Sequence, residues 1–321
     1  MNKFNHVSPK TLDEAVAALE KGNAVVNAGG TDLVGTLKTS ILASEPTTIV
    51  DLKTIPNLDY IKEEGGMLKI GALTRLADIA ESSVVQTKYA ALAQAAARTA
   101  SPHLREMGTI GGNICQYNRC WYFRKMDNRF NCIRKGGSMC FAMAGDNRYH
   151  SIFGAVKACI AVNPSDTAPA LVALNAKIVT TKQTIDADKF WDVSIPGSTV
   201  LAEDEIVKEI QVPAPASGVK SAFIKFALRK SIDFPVVNCA AAIGGGEARI
   251  CLNAVYNNPY RAIKAEDAIK GKAIDTANAE EAAAAGVSQA MALPANGTNP
   301  GSKWKISVAK GLIKQTILAC K

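Results

Sequence analysis

The order of apolar and polar positions predicts alternating helices and strands over the first hundred residues. A helix is expected to begin at Thr11, because Thr11 and Glu14 form a capping box, and to stop at Gly22. Apolar runs predict buried strands at 24–26, 48–52 and 68–71, and helical periodicity predicts helices at 74–81 and 84–99.

The pattern breaks between residues 101 and 158, which hold Gly, Asn, Arg, Met, Cys and aromatic residues without a clear period. So long an irregular stretch is uncommon inside a compact domain. A bound metal would organise it. Regular structure is predicted to resume with strands at 159–162, 177–181 and 205–212 and with a helix at 167–174.

A Pro- and Gly-containing stretch at 213–218 is typical of a linker. After it, strands are predicted at 221–229, 239–243 and 249–254, followed by helices at 262–269, 276–292 and 304–319. This order indicates a separate α+β domain at the end of the chain. The sequence contains no internal repeat.

Composition narrows the function classes. Of the 321 residues 48% are hydrophobic and 21% are charged, as in folded proteins, and no apolar run is long enough to span a membrane. The net charge of +8 comes from scattered basic residues without a nucleic-acid-binding motif, so a solvated surface or an acidic protein partner is expected and nucleic acid is not. No signal peptide is visible, so we expect the cytoplasm, or the periplasm by export with a partner.

Two glycine turns and one Ser-Asp turn could bind a dinucleotide. The sequence Ala-Gly-Gly-Thr-Asp-Leu at 28–33 follows a predicted strand, and Gly-Thr-Ile-Gly-Gly-Asn lies at 108–113. Glycine turns let backbone amides converge on an anion such as a pyrophosphate, although each turn alone is also compatible with an ordinary tight turn. In Pro-Ser-Asp at 164–166, Ser165 is either a helix N-cap or part of a site in which Asp166 accepts hydrogen bonds from sugar hydroxyls.

Together with Ile-Gly-Ala-Leu-Thr at 70–74, Pro-Ser-Asp-Thr-Ala-Pro-Ala-Leu-Val-Ala-Leu at 164–174 and Arg-Ala-Ile-Lys-Ala-Glu-Asp-Ala-Ile-Lys-Gly at 261–271, these turns resemble the FAD-binding medium subunit of the xanthine dehydrogenase or molybdenum hydroxylase family. The resemblance covers essentially the whole chain. It implies an α+β, PCMH-type (vanillyl-alcohol-oxidase-like) FAD-binding fold in two subdomains, at 1–55 and 56–217, plus a small C-terminal α+β domain at 218–321. A cysteine-rich insertion would occupy about 114–160.

The resemblance also implies which residues bind FAD. The pyrophosphate would be held by Val25, Val26, Asn27, Ala28, Gly29, Gly30, Thr31, Asp32 and Leu33. Thr109, Gly112 and Asn113 would make a second contact, Asp166 would bind the ribityl side, and Lys225 would lie close to the flavin.

Five of the eight cysteines fall between 115 and 159, which is the most unusual feature of the composition. The spacing C-x11-C-x7-C-x18-C from Cys120 to Cys159 matches neither a zinc ribbon nor the compact ferredoxin motif. From spacing alone, buried free thiols, zinc and an iron–sulfur cluster all stay open. His150 is either a structural histidine bonded to a carbonyl or a donor to a ligand sulfur.

A subset of the family carries such an insertion with a [4Fe-4S] cluster, as in the medium subunits of 4-hydroxybenzoyl-CoA reductase and of bacterial periplasmic aldehyde oxidoreductase. The likeness implies the ligands Cys120, Cys132, Cys140 and Cys159. Cys115 is interpreted as a small buried hydrophobe, and residues 121–123 as aromatic packing that shields the cluster.

The resemblance implies an oxidoreductase subunit with no catalytic residues of its own toward the organic substrate. A molybdopterin-binding large subunit would act on that substrate, and a small subunit would carry two [2Fe-2S] clusters. Electrons would pass between those clusters and an external carrier, which could be NAD, ferredoxin, a quinone or oxygen. Two alternatives stay open: a stand-alone PCMH-fold flavin oxidoreductase, and a non-catalytic module stabilised by zinc.

Overall fold

The computed structural model describes residues 1–192, 195–230, 232–295, 297 and 299–321. The chain begins with a three-stranded parallel sheet in the order β1-β3-β2. Its elements are β1 (Asn5–Val7), α1 (Leu12–Leu19), β2 (Ala24–Asn27), α2 (Leu33–Lys38) and β3 (Thr48–Asp51). Parallel neighbours need crossover connections, which α1 and α2 supply. Ala15 and Leu19 of α1 pack on Val50 of β3.

The first helix begins as the capping pattern predicts. Thr11 Oγ1 accepts the Glu14 amide at 3.2 Å, which satisfies one of the free first-turn donors. The Glu14 carboxylate reaches back one residue further than a capping box requires, because it accepts the amide of Lys10 at 2.7 Å.

A five-stranded antiparallel sheet in the order β4-β5-β8-β6-β7 forms the second unit. Its strands are β4 (Ile61–Glu64), β5 (Met67–Gly71), β6 (Lys177–Thr180), β7 (Thr184–Asp186) and β8 (Val207–Pro213). The helices along this part of the chain are α3 (Leu76–Glu81), α4 (Ser83–Lys88), α5 (Ala90–Ala97), α6 (Pro102–Met107), α7 (Ile110–Cys115), α8 (Phe141–Ala144) and α9 (Thr167–Ala173). Leu68, Ile70 and Ile210 join Leu92 and Leu171 in the largest apolar core.

The helix expected at 276–292 is too long, because it ends at Gly286, and two further local expectations are wrong. The helix expected at 84–99 is broken into α4 and α5, because Tyr89 leaves the helical region (φ −127°, ψ 46°) while its side chain is fully buried. No strand forms at 159–162 among the described residues: Cys159 pairs only with nearby Val156, and Val162 only with Arg119. Tertiary packing broke the helix at Tyr89, and local turns replaced the strand at 159–162. The period of apolar residues in the sequence indicates neither effect.

The C-terminal residues form a four-stranded antiparallel sheet in the order β12-β11-β10-β9, with helices on one face. The elements are β9 (Lys220–Phe226), β10 (Val237–Gly244), β11 (Glu247–Asn253), β12 (Tyr260–Arg261), α10 (Ile263–Ile269), α11 (Thr276–Gly286) and α12 (Lys303–Leu318). Successive β10 side chains face opposite sides, so Cys239 and Ala241 pack on these helices while Ala240 packs against the second unit. The sheet is therefore buried on both faces.

The cysteine segment, residues 116–160, has little regular structure: a 3₁₀ turn at Ile133–Lys135 and the short helix α8. A residue of the C-terminal domain anchors this segment. The fully buried ammonium of Lys305 on α12 donates to the carbonyl oxygens of Tyr149 at 3.0 Å, His150 at 2.9 Å and Ala254 at 2.5 Å. These bonds fix the end of the cysteine segment to the C-terminal sheet.

Candidate functional site

A pocket of about 450 Å³ opens between the first sheet, the second glycine turn and β9, a size typical of small-ligand sites. All cofactor-binding residues predicted from the sequence line it except Asn27, namely Val25, Val26, Ala28, Gly29, Gly30, Thr31, Asp32, Leu33, Thr109, Gly112, Asn113, Asp166 and Lys225. Asn27 instead donates its amide to Asp51 Oδ1 at 3.2 Å. The fold thus joins three turns that are far apart in sequence, and the assignment of FAD contacts to them stays a prediction.

The first glycine turn packs directly against the backbone at the start of the second glycine turn. As a result, there is no room for a side chain at Gly29. A Cβ there would lie 2.0 Å from the carbonyl oxygen of Met107. The next residue, Gly30, has φ +70°, a left-handed conformation that favours glycine. Both glycines are therefore needed to shape the pocket wall, whatever ligand the pocket binds.

The second turn is fixed by side-chain bonds. Thr109 Oγ1 caps α7 by accepting the amide of Gly112 at 3.1 Å. Asn113 Oδ1 accepts the hydroxyls of Ser165 at 2.5 Å and Thr167 at 2.7 Å. The carboxamide of Asn113 thus ties the second turn to the Ser-Asp turn. Ser165 Oγ also accepts the amide of Ala168 at 3.1 Å in the first turn of α9, whereas a role of this turn in binding sugar hydroxyls stays a prediction.

Asp166 and Lys225 form a buried ion pair at the pocket wall, with 2.7 Å between Lys225 Nζ and Asp166 Oδ2. Asn238 donates to the other carboxylate oxygen at 2.7 Å. Burial raises the pKa of Asp166, and the ammonium of Lys225 opposes that rise. Each charge thus offsets the desolvation cost of the other, so the pair depends on both partners.

Asp32 joins the first glycine turn to the cysteine segment. Its carboxylate oxygens lie 2.8 Å from Arg119 Nη2 and 2.9 Å from Arg124 Nη2. Burial alone would raise the pKa of Asp32, but the two guanidinium groups hold it below its ordinary value. Two cations against one carboxylate leave a net positive charge at the pocket wall, which suits a phosphate-containing ligand.

Sequence reasoning missed many of the residues that line the pocket, and three of them stand out. Arg119, Ile232 and Phe234 line the pocket, and the Arg119 guanidinium lies 4.1 Å from the centre of the Phe234 ring. Phe234 and Ile232 are large apolar residues, 54% and 48% exposed, on the loop between β9 and β10. Apolar residues in an exposed loop are the signal that could have drawn attention to them.

The cysteine segment brings its predicted ligands into one region. Cys120 packs with Cys132 in one small apolar cluster and with Cys159 in another. Burial raises the pKa of the Cys120 thiol to about 12, and the nearby thiols of Cys159 and Cys140 add to the rise, while the amides of Tyr122 and Phe123 oppose it. Among the described residues, no three His, Cys, Asp or Glu side chains are close enough to hold one metal ion.

His150 lies against one of these thiols. Its Nε2 is 3.2 Å from Cys120 Sγ, and its buried Nδ1 has no hydrogen-bond partner within the described part of the chain. Burial lowers the pKa of His150 to about 4, so the ring is neutral at ordinary pH. Cys115 lies apart from the group: it lines the pocket of about 450 Å³, and burial raises its pKa to about 12.

Comparison with known proteins decides the family. Residues 2–215 match the FAD binding domain in molybdopterin dehydrogenase, and residues 222–319 match the CO dehydrogenase flavoprotein C-terminal domain. The chain belongs to the FAD-binding medium subunits of the molybdenum hydroxylase family.

Relatives and solved structures agree with this family. This medium subunit is 34% identical to the aldehyde oxidoreductase FAD-binding subunit PaoB of Escherichia coli (strain K12), over 84% of this chain and 86% of that protein. The carbon monoxide dehydrogenase medium chain of Hydrogenophaga pseudoflava is 28% identical, over 99% and 96%. A solved structure of that carbon monoxide dehydrogenase, in a form lacking the Mo-pyranopterin moiety, matches with a TM-score of 0.76 over 99% of this chain and 97% of that one.

The match confirms three predictions: the family, the oxidoreductase class and the α+β fold with FAD-binding and C-terminal parts. The exact domain boundaries and the roles of individual residues stay predictions. In the described residues no helix has both the length and the apolar composition that crossing a membrane requires.

Replacing Asp32 with asparagine is expected to destabilise the medium subunit by about 1–3 kcal/mol, because two partly buried guanidinium groups would lose their carboxylate. Urea unfolding of flavin-free protein measures this without a contribution from ligand binding. The control is Asp78→Asn, which removes a bidentate but exposed partner of Arg75 and should cost less than about 1 kcal/mol. Equal losses in the two variants would contradict an anchoring role for Asp32.

Proposed function

We propose that this medium subunit holds FAD in the pocket and a [4Fe-4S] cluster in the cysteine segment, and that it passes electrons between [2Fe-2S] clusters of a partner and an external carrier. One observation carries the proposal. Arg119 lines the pocket, and the next residue in the chain is the predicted ligand Cys120. The two cofactors would therefore be neighbours, as an electron path requires.

The pocket residues fit FAD in shape and charge. Two glycine turns present backbone to the ligand, and the positive charge around Asp32 would offset the pyrophosphate. Bound FAD would supply exchange between one-electron and two-electron carriers. Lys225 and Asp166 would keep their positions at the edge of the flavin site by pairing with each other.

We favour an iron–sulfur cluster over zinc for the cysteine segment. A zinc ion needs its ligands around one tetrahedron, and within the described chain no three candidate side chains approach that closely. In a [4Fe-4S] cluster each thiolate binds a different iron atom, so the thiols stand farther apart. The amides of Tyr122 and Phe123 point toward Cys120 Sγ, and hydrogen bonds to ligand sulfur are a usual way to stabilise such a cluster.

Apolar packing would keep water from the cluster. Phe123, Ile41 and Cys132 form one buried group, and Cys159 and Ile195 belong to a second. Cys120 contacts both groups, so it would sit at the centre of the shielded region. Trp121 does not belong to this shield, because half of its surface is exposed.

The relatives' names support partners for this subunit. Relatives are a medium chain of carbon monoxide dehydrogenase and a subunit of a dehydrogenase complex, and the matching solved enzyme is a form that lacks the Mo-pyranopterin moiety of its molybdenum cofactor. We infer that a molybdopterin-binding large subunit and a small [2Fe-2S] subunit assemble with this chain. The external carrier would be NAD, ferredoxin, a quinone or oxygen, and the complex would work in the cytoplasm or be exported as a whole.

The test is an anaerobic purification of the chain with its partners, followed by FAD, iron, zinc and sulfide quantitation on the separated medium subunit. The expected result is one FAD with about four irons and four sulfides per chain. Zinc in place of iron would reject the cluster and favour the zinc-stabilised module. Absence of flavin would reject the flavin site, and substrate turnover by the isolated chain would favour a stand-alone flavin oxidoreductase.

A further inference from the structure

Two consecutive cations in the cysteine segment differ sharply in their surroundings. Arg134 is 3% exposed, and neutral acceptors surround its guanidinium. Its Nη1 donates to the carbonyl oxygens of Pro196 at 3.2 Å and Gly197 at 2.7 Å, and its Nη2 donates to Asn257 Oδ1 at 2.6 Å. Arg134 thus links the 3₁₀ turn to two other parts of the chain and has a structural role.

Lys135 has no such partners. Its Nζ is buried and donates no hydrogen bond to any of the described residues, carboxylates included. The ammonium lies 5.3 Å from the centre of the Phe123 ring. Phe123 in turn packs with Cys132 and Cys120 in one apolar cluster, so Lys135 and the two thiols share the same ring. Burial lowers the pKa of Lys135, and these two thiols oppose that fall.

An ammonium buried without partners is costly, so a charge of opposite sign is expected beside it. That charge does not come from the flavin pocket, because Lys135 is not among the residues that line the pocket. The thiols of Cys132 and Cys120 are neutral when protonated but become anionic as metal ligands. The missing partner of Lys135 is therefore the ligand set of the cysteine segment in its metal-bound form.

We propose that Lys135 is the charge-setting residue of the [4Fe-4S] site: its ammonium stabilises the thiolate ligands and raises the reduction potential of the cluster. This inference rests on the proposed function. On reduction the cluster gains one electron from the reductant and becomes more negative by one charge. A buried cation beside two ligands stabilises the reduced form more than the oxidised form, and the low dielectric of the site strengthens that effect.

The experiment compares Lys135→Met, which keeps the length and removes the charge, with Lys135→Arg, which keeps the charge. Lys125→Met is the matched control, because Lys125 is an exposed cation of the same segment. Each variant is purified in the full complex, and its iron content is measured. The midpoint potential of the medium-subunit cluster is then read by dithionite titration monitored by electron paramagnetic resonance.

We expect a lower midpoint potential in Lys135→Met, and potentials near that of the wild type in Lys135→Arg and Lys125→Met. Loss of iron from Lys135→Met alone would also support the proposal, since the charge would then be needed to hold the ligands. Equal potentials in Lys135→Met and Lys125→Met would overturn the proposal. Loss of iron from both Lys135 variants would also overturn it, because retention of the cluster would then depend on the shape of the side chain and not on its charge. A wild-type subunit without iron would instead reject the cluster itself.

Discussion

Replacing Gly29 with alanine is expected to abolish FAD binding, because a single methyl group would force two walls of the pocket apart. The new Cβ would lie 2.0 Å from the Met107 carbonyl oxygen, and backbone on both sides leaves no flexible side chain to yield. Overpacking of this kind costs about 1–3 kcal/mol. The resulting shift of the first turn should lower FAD affinity at least about a hundredfold, or ~3 kcal/mol. Fluorescence titration of flavin-free protein with FAD measures the loss.

Gly35→Ala is the matched control for Gly29→Ala. It adds the same methyl group on α2, where no atom of the described residues outside the neighbouring helix backbone lies within 4 Å of the new Cβ. FAD affinity should be unchanged and stability slightly increased, since alanine favours a helix. Thr31→Val keeps the backbone of the turn intact and removes one hydroxyl, so a smaller loss of about fivefold is expected. Wild-type FAD affinity in folded Gly29→Ala would show that the two turns do not form the flavin site.

Replacing Cys132 with serine is expected to remove the iron from the medium subunit. A serine oxygen is a poor substitute for a thiolate at iron, and three remaining cysteines bind a [4Fe-4S] cluster less tightly than four. Because metal-binding energy also stabilises the fold around it, the cysteine segment should lose order as well. Iron content by elemental analysis and protease sensitivity within residues 116–160 measure the two effects.

Cys320→Ser is the control for the cysteine variant, because Cys320 is equally buried but lies on the far side of the C-terminal sheet, where its Sγ donates to Ala241 O at 3.7 Å. It should keep both FAD and iron. Retention of wild-type iron by Cys132→Ser would show that Cys132 is not a ligand. Partial loss of FAD from Cys132→Ser would not count against the ligand assignment, since Asp32 of the flavin turn depends on two arginines of the cysteine segment.

Several residues of the pocket could be predicted from the sequence because they determine the local backbone conformation. Gly29 and Gly30 allow a turn that side chains forbid, and Thr109 caps a helix through a bond to the amide of Gly112, three residues away. Such requirements are local, so they leave a readable signature. Strands and helices with a clear apolar period are predictable from the sequence for the same reason. The break in the helix at Tyr89 is not predictable in this way, because it depends on burial of Tyr89 between distant elements.

What the sequence alone determined is the set of chemical groups: glycine turns, an Asp and a Lys for one site, and four cysteines for another. Only the tertiary structure decided how they are combined. It paired Asp166 with Lys225 across 59 positions and Asp32 with Arg119 across 87, and it buried Lys135 Nζ without a hydrogen-bond partner among the residues that the structure describes. The physical reason is that charge pairing and desolvation depend on distance in space, which the order of residues along a chain does not give.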